Sequence, residues 1–283
     1  SGKTALATEL YQRLPSELIS VDSALIYRGM DIGTAKPTAE ELAVAPHHLI
    51  DLISPLEQYS AAQFAKDALA LMHEATSNGR IPVLVGGTML YFNALQHGLS
   101  QLPEADPAIR AQIEAEANVI GWPAMHAQLE RIDPAVAAII HTTDSQRIER
   151  ALEVYRITGR PMSVLREQST KVSLPFNILK LALMPSERSV LHQRIADRFE
   201  MMLKQGFVDE VKRLLSEYPQ LTSDTPSMRC VGYRQALQHL NGEIDLPTLH
   251  EHGVFATRQL AKRQLTWLRG MEDVHVLDCL RDD

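Results

Sequence analysis

Ser1-Gly2-Lys3-Thr4-Ala5-Leu6-Ala7-Thr8-Glu9-Leu10-Tyr11-Gln12-Arg13-Leu14, followed closely by Glu17-Leu18-Ile19-Ser20-Val21-Asp22, sets the fold class. Gly2-Lys3-Thr4 closes the pattern GxxxxGK[ST], in which backbone N–H groups wrap phosphate oxygens, the lysine adds a mobile charge and the hydroxyl ligates Mg²⁺. Leu6, Leu10 and Leu14 recur at helical spacing. A helix here points its positive dipole end at the same anion. The apolar run that ends at Asp22 reads as a buried strand.

The alternation continues outward. Residues 60–77 carry Phe64, Ala68, Leu71 and Met72 on one helical face. Residues 81–85 form a short apolar run between Gly79 and Gly86-Gly87, as a buried strand of a parallel sheet does. A further helix follows from Met89. From residue 98 to 169 helical patterns appear at 107–118, 122–131 and 144–157, without a strand between them. Residues 178–184 are apolar again and return the chain to the sheet. A long helix over 187–217, broken at Gly206, two more near 229–241 and 247–268, and a last strand at 274–277 complete the pattern. The expectation is an α/β fold: a P-loop NTPase-like core with a parallel sheet flanked by helices, from residues 1–97 and 172–283, plus a helical insertion domain at 98–171.

Composition narrows the class. The 283 residues suffice for a substantial core, and no run of 18 apolar residues suggests a membrane span. No signal peptide is evident. Cys230 and Cys279 are too few for a disulfide framework or a four-ligand zinc site, which points to a reducing, cytoplasmic setting. The net charge of −7 argues by itself against nucleic-acid binding. Its distribution argues otherwise. Arg258, Lys262, Arg263 and Arg269 lie within residues 253–270, which hold no acid. No coiled-coil seam is evident, so a monomer is expected.

The strand at 81–85 ends in Gly86-Gly87 rather than in the acid with which an ATPase holds Mg²⁺. The loop therefore suits a diphosphate outside a nucleotide. His47-His48 and His141 have no partner at ligand spacing and read as structural. Met201-Met202 reads as core or surface.

Five segments are more specific. They are Ser20-Val21-Asp22-Ser23-Ala24-Leu25-Ile26-Tyr27, Met30-Asp31-Ile32-Gly33-Thr34-Ala35-Lys36-Pro37, Val85-Gly86-Gly87-Thr88-Met89-Leu90-Tyr91, Arg229-Cys230-Val231-Gly232-Tyr233-Arg234 and Lys262-Arg263-Gln264-Leu265-Thr266-Trp267-Leu268-Arg269. In this order they resemble the bacterial tRNA dimethylallyltransferases over nearly the whole chain. That family opens on a strand and GPTASGKT, of which SGKT stands here, and often carries a longer stretch near Lys171-Val172.

The resemblance implies transfer of a dimethylallyl group from dimethylallyl diphosphate to the adenine 3′ of the anticodon in tRNA, with Mg²⁺ and without ATP hydrolysis. It implies that Ser1, Gly2, Lys3 and Thr4 hold the diphosphate and that Thr4 ligates the metal, with Arg229 matched to a tRNA-binding stretch or reaching the diphosphate instead. Adenine's amine is a poor nucleophile and must lose a proton, which a carboxylate in reach can accept. Asp22 is assigned that role, the alternative being an N-cap of the next helix. Thr88 follows a Gly-Gly turn and lines the base's entry, or caps a helix, or both. Ser23, Ala24 and Leu25 match the base-contacting turn. Arg110 and Gln146, Arg147 and Arg150 match tRNA-contacting positions, as do Cys230, Val231, Gly232, Tyr233 and Arg234 beside Arg229, and Lys262, Arg263, Gln264, Thr266, Trp267 and Arg269. Basic side chains interleaved with an aromatic suit phosphate contact and base stacking in the anticodon stem-loop.

Two other classes stay open at this level. A small-molecule kinase shares the phosphate loop and an Asp near its acceptor but needs no basic helix at 258–269. A non-catalytic nucleic-acid module needs the basic helix but not Lys3, Thr4 or Asp22.

Overall fold

The computed structural model describes residues 2–98, 102–167 and 174–280. They fall into two compact units, Ser1–Leu95 with Pro175–Asp283, and Gln96–Leu174.

In the first unit α1 (Lys3–Arg13) leads into β1 (Ser16–Val21), and α2 (Ala39–Val44) into the two-residue β2 (His47–His48). Then come α3 (Ala61–Ser77), β3 (Ile81–Gly86) and α4 (Met89–His97), which runs past the unit's boundary. The strands form a parallel sheet in the order β2-β1-β3, with Leu18 opposite His47 and Val21 opposite Gly86. β1 is central and its Leu18, Ile19 and Val21 are wholly buried. A strand covered on both faces is mostly apolar, and Leu18, Ile19 and Val21 supply that around the buried Ser20. α3 begins where the Ser60 hydroxyl accepts the Gln63 N–H, and buries Phe64, Ala68, Met72 and Ala75 along one face. The β3 run, expected to be buried, is an outer strand of this sheet among the described residues and only half covered, with Ile81 49% exposed.

The apolar run at 178–184 departs from expectation. β4 (Lys180–Met184) pairs in parallel with β5 (Val274–Asp278), and these two make a second sheet of their own. An apolar run specifies a strand but not its neighbour, which the ladder register decides. Between them lie α10 (Arg188–Lys204), α11 (Phe207–Glu217), α12 (Tyr233–Leu240) and α13 (Leu246–Arg269), with a 3₁₀ turn at Pro226–Arg229. The expected break at Gly206 is present, and its φ of 94° is open to glycine. Phe199, Phe207, Val211 and Leu214 of α10 and α11 pack with Ile26, Tyr27 and Met30, which seats the segment after Asp22 on the main core. His47 and His48 form β2: His47 Nδ1 lies 2.8 Å from the Ala45 carbonyl, and His48 Nε2 lies 3.1 Å from Glu17.

The second unit is helical: α5 (Pro107–Ile120), α6 (Trp122–Ile132), α7 (Pro134–Ala137), α8 (Ser145–Thr158) and α9 (Met162–Glu167). Ile113, Met125, Leu129, Ile148 and Leu152 form its core. Asp106, Asp133 and Asp144 cap α5, α7 and α8 through backbone N–H groups, as acids at N-caps do. Glu153 of α8 is wholly buried. It accepts 2.9 and 3.2 Å bonds from Arg110, a 2.5 Å bond from Arg150 and a 2.9 Å bond from the Asp106 N–H.

Burial opposes Glu153's ionisation, but those four donors prevail and hold its pKa below the ordinary 4.5. Glu153→Ala removes the shared partner of two arginines and should cost the helical unit roughly 2–4 kcal/mol. Urea unfolding followed on Trp122, in a Trp267→Phe background, reads this loss. A depressed pKa contributes stability that is complete above the unfolded value and is lost as pH falls through the folded one. The wild-type midpoint should therefore fall in acid more steeply than that of Glu153→Gln.

Candidate active site

β1 delivers Asp22 to the C-terminal edge of the sheet, where open α/β folds place their ligands. Its neighbours are fixed from the β3 side. The Val21 carbonyl accepts the N–H groups of both Gly87 and Thr88, each at 3.1 Å. The strands come so close that a Cβ at Gly86 would stand 2.0 Å from the Val21 oxygen. Thr88 Oγ1 accepts the Ser23 N–H at 3.0 Å and donates to Ser23 Oγ at 3.3 Å. The peptides on either side of Asp22 are thus both tied to the Gly87-Thr88 segment.

The Asp22 carboxylate accepts the Ala24 N–H at 2.9 Å. Turn residues, not a helix, follow it, so it caps its own turn rather than a helix N-terminus. Burial raises its pKa above the ordinary 3.8. The Ala24 N–H, the Lys3 charge, the Leu25 N–H and the Arg198 charge restrain that rise. Lys3 is exposed by surface area. Enough protein nevertheless surrounds its ammonium to lower its pKa from 10.5; Asp22 opposes this and Arg198 adds to it.

Lys3, Asp22 and Arg198 therefore form one electrostatic cluster. Arg198 is the member that sequence reading missed. It lies within α10, in an ordinary amphipathic helix with no motif to distinguish it. Three protonated groups complete the surroundings. Burial pushes the Tyr27 hydroxyl and the Cys230 thiol each up to about 12. It also raises the Tyr91 hydroxyl, with contributions from Tyr27, Asp22 and Cys230. Cys230 is accordingly an inert thiol beside the carboxylate. The Tyr91 ring is stacked on Phe64 at 4.5 Å, and its hydroxyl donates to the Tyr59 carbonyl.

Gly2 caps α1 in a left-handed conformation (φ 77°) with no side-chain bond, and Thr4 sits in the exposed first turn; Ser1 lies outside the described residues. Arg229 closes the 3₁₀ turn, 3.6 Å from Asp224. Val231 is half-buried, while Arg234 is exposed. Tyr233 corrects the expectation of a direct tRNA contact. It is wholly buried among Phe207 and the main core, and its hydroxyl donates to Glu210 at 2.6 Å, so it presents no surface to a ligand. Gly232 is buried beside it. Gln264 is half-buried, and its amide donates to the Gly87 carbonyl at 2.9 Å. Lys262, Arg263, Thr266, Trp267 and Arg269 on α13 are exposed, and Trp267 shows 44% of its surface.

In the helical unit, Arg110 and Arg150 are engaged with Glu153, and Arg150 also donates to the Pro103 carbonyl. Arg147 pairs with Asp144 at 3.1 Å and is 71% exposed. Gln146 is exposed at the start of α8.

A carboxylate at the end of a central parallel strand, under the electrostatic influence of two cations, marks the candidate active site of an α/β enzyme. The description "IPP transferase" matches residues 25–271, and the chain belongs to that family. It is 60% identical to the tRNA dimethylallyltransferase of Methylobacillus flagellatus over 283 residues, covering 100% of this chain and 90% of the relative. It is 58% identical to that of Chromobacterium violaceum, covering 100% and 86%. Among solved structures, the full-length tRNA isopentenylpyrophosphate transferase of Bacillus halodurans aligns with a TM-score of 0.69 at 40% identity, over 98% of this chain and 86% of that one. A eukaryotic dimethylallyltransferase acting on tRNA aligns at 0.81 and 27% identity, over 98% and 71%.

Arg198→Ala removes a positive neighbour of Asp22. A lost cation favours the neutral acid, so the acidic limb of the rate–pH profile should move to higher pH. The maximal rate should fall about 10²-fold through lost charge stabilisation. A profile superimposable on wild type would take Arg198 out of the cluster.

Proposed function

We propose that this chain transfers the dimethylallyl group of dimethylallyl diphosphate to the N6 amine of the adenine 3′ of the anticodon in tRNA. The observation that carries this reading is Asp22, bracketed by the Gly87-Thr88 segment and set in one electrostatic cluster with Lys3 and Arg198. One bond breaks, between the allylic carbon and the diphosphate oxygen. One forms, between that carbon and N6. The N6 proton passes to the Asp22 carboxylate, and diphosphate leaves with the bonding electrons.

Each group has a task. Lys3 and Arg198 stabilise charge on the departing diphosphate, and the first turn of α1 directs N–H groups toward the same anion. A raised pKa makes Asp22 a better proton acceptor than a free aspartate, while the two cations keep it ionised until it is needed. Tyr27, Tyr91 and Cys230 remain neutral and do not compete for the proton.

Mg²⁺ fits these residues in one way. Among the described residues no group of three His, Cys, Asp or Glu side chains could cage an ion. The Thr4 hydroxyl, which has no hydrogen-bond partner among them, would instead join substrate phosphate oxygens. That is the donor set Mg²⁺ takes in phosphate sites. Bound there, the ion would neutralise diphosphate charge.

The anticodon stem-loop would lie on α13. Lys262, Arg263 and Arg269 offer phosphate contacts, and Trp267 a stacking face.

The decisive assay supplies labelled dimethylallyl diphosphate, Mg²⁺ and unmodified tRNA. Label should enter tRNA, and Asp22→Ala should lower turnover by about 10²–10⁴-fold while still binding tRNA. ATP-dependent phosphorylation of a small molecule, with no label in tRNA, would establish the kinase reading instead. Changing Lys262 and Arg263 together to Ala should weaken tRNA binding and reduce the slope of log affinity against log salt by about 1.5. An unchanged slope would remove α13 from the interface.

A further inference from the structure

The Gly87-Thr88 peptide is held from both sides. Its carbonyl, on Gly87, accepts the Gln264 side-chain amide at 2.9 Å. Its N–H, on Thr88, donates to the Val21 carbonyl at 3.1 Å. Because one peptide plane carries both groups, rotating it breaks both bonds. The contact is tight: a Cβ at Gly87 would stand 2.4 Å from the Gln264 nitrogen. The Thr88 side chain then receives the Ser23 N–H, on the far side of Asp22. A continuous chain of hydrogen bonds therefore runs from α13 through Gln264, the Gly87-Thr88 peptide and Val21 or Ser23 to the residue between them.

Gln264 also follows Lys262 and Arg263 directly in sequence. Those two side chains are exposed and make no ion pair among the described residues. A rigid helix thus carries cations available to phosphate on one face and, from the next residue, a hydrogen bond to the Asp22 turn on another.

We propose that Gln264 is a positioning residue that couples RNA engagement by α13 to the orientation of the Asp22 carboxylate, acting through the Gly87-Thr88 peptide. The proposal rests on the reading of Asp22 as the proton acceptor. It makes Gln264 a donor to a protein carbonyl rather than a ligand of the tRNA. Loss of that donor lets the peptide turn, loosens Thr88 and leaves Asp22 poorly aimed. Misplacement of about 1 Å can cost a reaction about 10²-fold.

The donor requirement gives a chemical signature. At position 264 an ionised glutamate would face the Gly87 carbonyl with like partial charge, whereas a protonated one would donate to it. The test is steady-state transfer by Gln264→Ala and Gln264→Glu in the full chain, beside Lys262→Ala and Asp22→Ala, with melting temperatures for each. Gln264→Ala should lower kcat about 10–100-fold and leave KM for tRNA within about twofold. Lys262→Ala should do the reverse. Gln264→Glu should fall below Gln264→Ala near pH 8 and gain on it as pH drops toward about 5.5. Taking the ratio of the two variants at each pH cancels the titration of Asp22 itself.

A raised KM with unchanged kcat would make Gln264 a direct tRNA ligand and overturn the proposal. So would wild-type kinetics in both variants. So would a loss of kcat that tracks a loss of melting temperature, with a ratio flat in pH, since simple packing would produce that. Normal turnover by Asp22→Ala would instead overturn the proton-acceptor reading, whatever Gln264 does.

Discussion

The Val21 carbonyl accepts two N–H groups, from Gly87 and Thr88, and the site is arranged around that one oxygen. It ends the β1–β3 ladder and begins the turn that carries Asp22. The double bond is possible because β3 finishes in Gly86, whose missing side chain lets the strands approach. Any larger residue there would push β3 away from β1, and the Thr88 side chain would lose the Ser23 N–H. Two strands that sequence shows only as apolar runs are thereby locked in the register that puts Asp22 and Thr88 at the same edge.

A second constraint holds the other wall. Glu210 on α11 is buried, and its carboxylate accepts the N–H groups of Asp31, Ile32 and Gly33 and the Tyr233 hydroxyl. Four donors around one carboxylate offset the cost of burying its charge. The bonds tie the segment after the Asp22 turn to the segment that carries Cys230 and Arg229. Lys36 reinforces the loop by bonding the Tyr27 carbonyl, Asp31 and Asp51. Two of the five sequence motifs, Met30 to Pro37 and Arg229 to Arg234, thus owe part of their residue choice to scaffolding rather than to substrate contact.

This explains what could be read from the sequence and what could not. The helix–strand alternation was legible because periodicity is local: α3, α5, α6, α8 and α13 lie within a few residues of their expected bounds, and α10 and α11 part at Gly206. Pairing is not local, which is why β4 was assigned to the wrong neighbour and β3 was read as buried. Asp22 and Thr88 are legible at strand ends, but Gly86-Gly87 reads as a turn open to a ligand, whereas Gly86 serves the close approach of β3 to β1. Arg198 was invisible, because a helix arginine looks the same whether it faces water or a carboxylate. Tyr233 reads as a ligand contact because it sits inside a distinctive motif. A motif marks a residue as constrained without saying whether the constraint is a ligand or a buried partner. Short α2 and β2 offered too few residues for a period to appear.

The electrostatic cluster gives the constraint a chemical meaning. Burial disfavours the charged forms of both Asp22 and Lys3, so each depends on its neighbours to remain ionised. Without substrate the trio of Lys3, Asp22 and Arg198 carries one net positive charge. A diphosphate arriving there would reverse the sign of the local field and, acting alone, would drive Asp22 to take a proton before the amine could give one up. On the proposed reading, Lys3 and Arg198, together with Mg²⁺ at Thr4, would offset that charge and leave the carboxylate a base. Arg198 brings to Asp22 a positive charge beyond the one the phosphate-loop motif supplies, and nothing in the local sequence announces it.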